Sequence, residues 1–182
     1  MTDTPAETGT DAVPEPYNGL PGAFPYAFRA SESLLFKGYV ALAVLLSLSI
    51  GLGFVLGLVV LFGQSAAVAG GTFTFSRAFF VFVGALVVAP LLAPVLLVAR
   101  RHRRTGSSLR YDRALALSAL VFVASLYVGL VVSVPPDLQE PTGSAVIGLL
   151  YALPQLAGLA PPLLAVGLMY AVHRRLRRDV DE

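Results

Sequence analysis

The sequence predicts an all-α polytopic membrane protein with four transmembrane helices, and three observations support this. Hydrophobic residues make up 56% of the chain, and the mean hydropathy is +0.76. Only 13% of the residues are charged, against about 25% in soluble proteins. A helix needs about 20 apolar residues to cross a bilayer core, and the charge-free stretches of this chain are long enough to supply them. The best windows are residues 39–62, 78–99, 114–134 and 146–172.

Two different segments precede the first span. Residues 1–16 are acidic, rich in Thr, Pro and Ala, and without apolar periodicity, which predicts a disordered tail. They lack the basic start of a signal peptide, and the apolar run begins too late for one. Residues 17–37 interleave aromatic residues with prolines and glycines. This pattern predicts a short amphipathic helix in the membrane interface, and the alternative is an irregular tether with its rings among the headgroups.

Small residues recur at a spacing of four in the first and third spans of the transmembrane domain, residues 38–172. In lipid, small side chains favour helix association because they let two backbones approach closely. Packing within the chain is the favoured interpretation, and homodimerisation is the alternative. The predicted packing positions are Ser49, Gly53, Gly57, Ser125, Gly129 and Ser133.

Prolines interrupt the second and fourth spans. Each proline removes a backbone donor and crowds the preceding helical turn. Pro90 and Pro94 therefore predict a kink in the second span. Pro154, Pro161 and Pro162 predict a fourth span that is either strongly kinked or broken.

The arginines predict the orientation. Residues 100–113 contain six arginines and a single acid, Asp112, and four arginines begin the charged tail, residues 173–182. Because basic residues beside spans stay inside, we expect a multi-pass protein of the cell membrane with both termini cytoplasmic. This placement favours topology over nucleic-acid binding as the reason for the basic charge. The arginines expected to contact anionic lipid headgroups or an acidic partner are Arg100, Arg101, Arg103, Arg104, Arg174, Arg175, Arg177 and Arg178.

The two halves of the chain resemble each other. The run Gly-Leu-Val-Val at residues 57–60 recurs at residues 129–132, and residues 89–93 resemble residues 160–165. This pattern indicates a tandem duplication of a helical hairpin, related by an axis along the membrane normal. The alternative is a chance match in a composition rich in Ala, Leu and Val.

No residues are predicted to be catalytic, to bind a cofactor or to bind a metal. The chain has no cysteine, which excludes thiolate chemistry and disulfides. The spans lack ionisable residues, which argues against proton-coupled transport and intramembrane metalloproteolysis. His102 and His173 lie in arginine runs, and no Ser/His/Asp arrangement emerges. Gln155 and Tyr151 are candidates for polar cavity residues, and a hydrogen bond to the proline-broken backbone is the alternative.

Twelve of the thirteen basic residues are arginine, the termini are acidic and Thr-rich, and the spans are rich in Ala and Val. This composition resembles that of uncharacterised membrane proteins of salt-loving archaea, a resemblance that implies a source and no activity. The leading functional hypothesis is a non-enzymatic accessory, scaffold or assembly subunit with a different membrane protein as its partner. The alternative is a small channel or permease for neutral or hydrophobic solutes, formed as a homo-oligomer of the chain.

Overall fold

The structure is a computed structural model that describes residues 19–65, 71–106, 108–141 and 143–178. The predicted disordered tail, residues 1–16, and residues 179–182 of the predicted charged tail lie outside these ranges. Every regular element in the described ranges is helical. Four helices are long and apolar enough to cross a membrane. The all-α class and the prediction of four helices able to cross a membrane are thus confirmed.

Six α-helices and two 3₁₀ turns follow one another along the chain. The 3₁₀ turns cover Pro136–Leu138 and Gln155–Leu159. The helices are α1 (Gly19–Ala30), α2 (Leu34–Ser65), α3 (Gly71–Thr105), α4 (Leu109–Val132), α5 (Ala145–Tyr151) and α6 (Ala160–Arg178).

Helix α4 lies at the centre of the bundle. It packs along α6 and also contacts α2 and α3, while α2 pairs with α3 and α1 lies against α3. Helices α3 and α6 end where α4 begins, and we call this side of the bundle the arginine end. Most of the buried core is near it, formed by residues such as Phe36, Val98 and Leu115.

The predicted interfacial segment contains α1 and the start of α2. Ala23 and Ala27 of α1 are fully buried, because their small side chains let α1 lie against α3. Helix α2 starts after Ser33, whose Oγ accepts a hydrogen bond from the backbone N–H of Phe36 at 3.2 Å. This is N-cap geometry, which satisfies a donor that the helix itself leaves unpaired.

Two phenylalanine–glycine contacts pair α2 and α3 in the halves that lie away from the arginine end, which we call the outer halves. Phe54 of α2 lies on Gly84 of α3, and Phe80 of α3 lies on Gly57 of α2. The two rings also contact each other, with 4.8 Å between centroids. Gly57 thus packs within the chain, whereas Gly53 has no atom close to where a Cβ would be.

Helix α3 continues through Pro90 and Pro94 to Thr105. The turn between the two prolines receives a hydrogen bond from α2, since the buried Tyr39 hydroxyl donates to the carbonyl of Leu91 at 2.6 Å. A side chain of α2 therefore adds a hydrogen bond to α3 between its two prolines.

The fourth span is broken. Helix α5 ends at Tyr151, a 3₁₀ turn follows Pro154, and α6 begins at Ala160. Pro161 and Pro162 lie in the first turn of α6, where a missing N–H costs no helical hydrogen bond. The apolar segment able to cross the membrane runs from Gln155 to Arg177, and residues 173–178 of the predicted tail continue α6.

Helix α4 meets the 3₁₀ turn by direct backbone contact. A Cβ on Gly129 would lie 2.5 Å from the carbonyl oxygen of Gly158. Ser133 donates a hydrogen bond to the carbonyl of Gln155 at 3.3 Å. Ser125, one turn before Gly129, donates to the Phe122 carbonyl of its own helix at 2.7 Å. The small-residue stripe of α4 therefore holds the broken span against the bundle.

Gly129→Ala should destabilise the protein by about 1–3 kcal/mol, because the new methyl group meets backbone that cannot rotate away. Thermal unfolding in detergent measures the effect. Gly167→Ala in α6 is the control, because a Cβ there meets open space and alanine favours a helix. Equal melting temperatures for the two variants would contradict the contact.

Tyr39→Phe should lower stability by about 1 kcal/mol, since it removes one hydrogen bond to a buried carbonyl and leaves the ring packing intact. Tyr170→Phe, at an exposed position of α6, is the matched control and should leave the melting temperature unchanged. A Tyr39→Phe protein as stable as the control would show that the bond to Leu91 contributes nothing.

Candidate functional site

The first turn of α4 separates two polar sites at the arginine end. Tyr111 and Asp112 are consecutive, so their side chains point about 100° apart on the helix. Asp112 contacts residues of the α1–α2 turn and of α3. Tyr111 contacts α6 through His173.

Asp112 is the centre of a buried polar cluster that we define as Ser31, His102 and Asp112. The Ser31 hydroxyl donates to Asp112 Oδ2 at 2.5 Å. Asp112 Oδ1 lies 3.0 Å from His102 Nε2, and Asp112 is only 1% exposed. Ser31 Oγ also accepts from the N–H of Ser33 at 3.2 Å. The cluster thereby joins the α1–α2 turn, the end of α3 and the start of α4.

The geometry of this cluster suits a structural role better than nucleophilic catalysis. In a Ser/His/Asp triad the histidine accepts the serine proton, but the Ser31 hydroxyl bonds to Asp112 and not to His102. The three side chains are also buried. A buried carboxylate is tolerated when it is hydrogen-bonded on both oxygens, and Asp112 meets that condition. His102 Nδ1 is buried without a partner in the described part of the chain.

The second site is a cavity of about 270 Å³ between α3, α4 and α6, which we call the arginine cavity. It borders Tyr111, about 100° around α4 from Asp112 of the polar cluster. Its lining residues are Leu97, Arg100, Arg101, Arg104, Thr105, Tyr111, His173 and Arg177.

Arg101 is fixed in the wall of the cavity by two contacts. Its guanidinium carbon lies 4.1 Å from the centre of the Tyr111 ring, a distance typical of cation–π stacking. One guanidinium nitrogen donates to the carbonyl of Leu176 at 3.1 Å, near the end of α6 where carbonyls lack helical partners. The Tyr111 hydroxyl in turn lies 2.7 Å from His173 Nδ1. These bonds connect all three helices around the cavity.

The cavity is strongly cationic. Four of its eight lining residues are arginines, and none is Asp or Glu. Asp112, the acid nearest in sequence to Tyr111, already accepts two hydrogen bonds in the polar cluster. The arrangement of guanidinium groups around a partly open space favours an anion, because arginine binds phosphate and carboxylate through several donors at once.

The structure brings together four of the eight arginines predicted to contact lipid or a partner. Arg100, Arg101, Arg104 and Arg177 line the cavity, whereas Arg103, Arg174 and Arg175 do not. Arg178 ends α6, but its side chain is outside the described positions.

The predicted polar pair of the fourth span lies at the other end of the bundle. Gln155 is exposed and Tyr151 is half-buried. Neither of them lines the arginine cavity. Ser133 bonds to the backbone carbonyl of Gln155.

Sequence reasoning missed the polar cluster and the roles of Tyr111 and His173. It assigned residues 100–113 to a loop, whereas α3 extends to Thr105 and α4 begins at Leu109. One signal was available, because Asp112 is the single acid among six arginines in that segment. An isolated acid at a helix start beside a serine-rich turn indicates a specific partner, but it does not identify Ser31 or His102.

One family model matches residues 1–177, and its description is Domain of unknown function (DUF8056). The chain belongs to this family. Comparison with curated proteins finds no match, and comparison with solved structures finds none either. The family description assigns no activity, so the functional argument depends on the geometry of the described residues.

Asp112→Asn should destabilise the protein by about 2–3 kcal/mol, because the amide cannot accept hydrogen bonds on both sides and leaves a buried polar group unsatisfied. Thermal unfolding in detergent measures the loss, and Asp137→Asn, at an exposed position, is the control.

A double-mutant cycle tests whether Ser31 and Asp112 act together. Ser31→Ala combined with Asp112→Asn should cost less than the sum of the two single variants, since each removes the same bond. Strictly additive losses would show that the two side chains do not interact.

Proposed function

We propose that the protein is a non-enzymatic accessory or assembly subunit that packs against another membrane protein. One observation carries this proposal. The most apolar window of α2 has no residue buried inside the chain. On this helix Ser49 and Gly53, one turn apart, are both exposed.

Small residues on an exposed membrane face favour a helix partner over lipid. Lipid chains pack on Leu or Val as well as on Gly, whereas close approach of two helices requires small side chains. Gly57, the third member of the predicted stripe, contacts Phe80 of the same chain. Ser49 and Gly53 therefore remain available for a second chain, with open space around Gly53.

The arrangement of polar groups supports a non-enzymatic role. Ser31 is bonded to Asp112 and not to His102, so this cluster does not form the Ser–His contact of a catalytic triad. The ionisable residues of the arginine cavity are four arginines, a tyrosine and a histidine, and arginine binds anions without serving as a general acid or base near neutral pH because it stays protonated.

The channel alternative has less support. It depends on Gln155 and on the prolines of the fourth span, but Gln155 is exposed and Pro161 and Pro162 start α6.

The proposed duplication gains some support from topology. Both α2–α3 and α4–α6 leave the arginine end and return to it with a proline-containing helix. In the proposed orientation the protein lies in the cell membrane, and its arginine end faces the cytoplasm.

Native mass spectrometry of the tagged full chain, extracted in mild detergent, should show a different protein at fixed stoichiometry. Gly53→Leu should reduce recovery of that partner by about tenfold, because a bulky side chain blocks close approach of its helix.

The control is Gly167→Leu, the same change at another exposed position with open space, in α6. It should leave recovery of the partner unchanged. A homo-oligomer with no foreign chain would contradict the proposal and favour the channel alternative, whose test is solute flux in liposomes with Gln155→Leu.

A further inference from the structure

We propose that the arginine cavity is a binding site for a phosphate-bearing anion the size of a lipid headgroup. This inference goes beyond the proposed subunit role and does not depend on it, because it stands on the cavity alone. The partner protein concerns the exposed face of α2, whereas this site lies between α3, α4 and α6.

The guanidinium groups of the cavity differ in how far they are already engaged. Arg101 stacks on Tyr111 and bonds to Leu176, which fixes its position without cancelling its charge. No hydrogen bond or ion pair within the described residues involves Arg100, Arg104 or Arg177. One oriented guanidinium and three others around the same space form a set of donors suited to the oxygens of phosphate.

The electrostatic balance favours an anion. Two helices, α3 and α6, end beside the cavity, and each helix C-terminus contributes the equivalent of about −0.5 charge. The four lining arginines carry one full positive charge each, so their sum exceeds the helix contribution several-fold. Capping of helix ends alone therefore leaves most of this positive charge uncompensated.

The size and wall of the cavity limit the ligand. Its volume of about 270 Å³ is below the roughly 300–1,000 Å³ of pockets that hold drug-sized molecules. Leu97 provides an apolar wall on the side toward the membrane-spanning part of α3. A compact phosphate with an apolar continuation, as in an anionic phospholipid, satisfies both features, and basic pockets between transmembrane helices are known to take such headgroups.

The test uses the purified full chain and native mass spectrometry with added lipids. Phosphatidylglycerol and phosphatidylcholine of equal chain length are titrated separately, and bound lipid is counted. We expect retention of phosphatidylglycerol over phosphatidylcholine. The variant Arg100→Gln/Arg104→Gln should bind phosphatidylglycerol about 30-fold more weakly, since each arginine near a headgroup contributes roughly a factor of five.

The matched control is Arg174→Gln/Arg175→Gln, which removes the same charge from the arginine end outside the cavity. It should bind phosphatidylglycerol like the unchanged chain. Equal loss in the two double variants, or no loss in either, would overturn the proposal, because binding would then follow total charge. The single variant Arg104→Gln, at an exposed position, provides the same comparison if the double variant unfolds, and thermal unfolding of each variant identifies that case.

Two further arms identify the source of the anion. In the first, calorimetry measures the binding of inorganic phosphate and pyrophosphate, which tests for a soluble ligand. Binding that is lost only in the cavity variant supports the site with a soluble occupant. The chain's own acids Asp179, Asp181 and Glu182 directly follow α6 in sequence. If anions bind only after these three are replaced by Asn, Asn and Gln, the tail is the occupant and the proposal is overturned.

Discussion

The arrangement of the arginine end depends on the buried carboxylate of Asp112. It accepts a hydrogen bond from Ser31, 81 residues away in sequence, and lies within bonding distance of His102, ten residues away. One side chain thus joins the α1–α2 turn to the end of α3 and the start of α4. Burial makes this dependence strong, because water cannot replace a lost partner at a buried carboxylate. The cluster therefore fixes where α4 starts relative to α1, α2 and α3.

The position of the arginine cavity follows from that constraint. Tyr111 precedes Asp112 on α4 and points about 100° away from it around the helix, toward His173. When Asp112 fixes the rotation of the α4 start, Tyr111 is fixed as well, and its ring supports Arg101. Arg101 then reaches the Leu176 carbonyl of α6. A buried structural contact made by Asp112 thus orients a cationic site that borders the neighbouring residue of α4.

The sequence was sufficient for the fold class and the spans because bilayer thickness imposes a length and a composition on every spanning helix. It also indicated that prolines interrupt the fourth span, as a kink or a break, and that Gly129 serves close packing, since both follow from local properties of proline and glycine. The polar cluster could not be predicted, because Ser31 and Asp112 are 81 residues apart and nothing in their local sequence encodes the pairing. The cavity itself was not predicted. The sequence indicated eight arginines that could contact lipid or a partner, but which four of them face one space depends on how α3 and α6 approach each other.

The two ends of the bundle differ in how they are stabilised, and this difference bears on function. At the arginine end, directional polar contacts fix the helices, and most of the buried core lies there. In the outer half, α2 and α3 are paired by two phenylalanine–glycine contacts, while much of the surface of α2 stays exposed. In lipid, apolar packing gives a helix little preference for helices of its own chain over helices of another chain. An end fixed by polar contacts, beside an apolar half with an exposed helix face, supports the proposed subunit that packs against a partner within the bilayer.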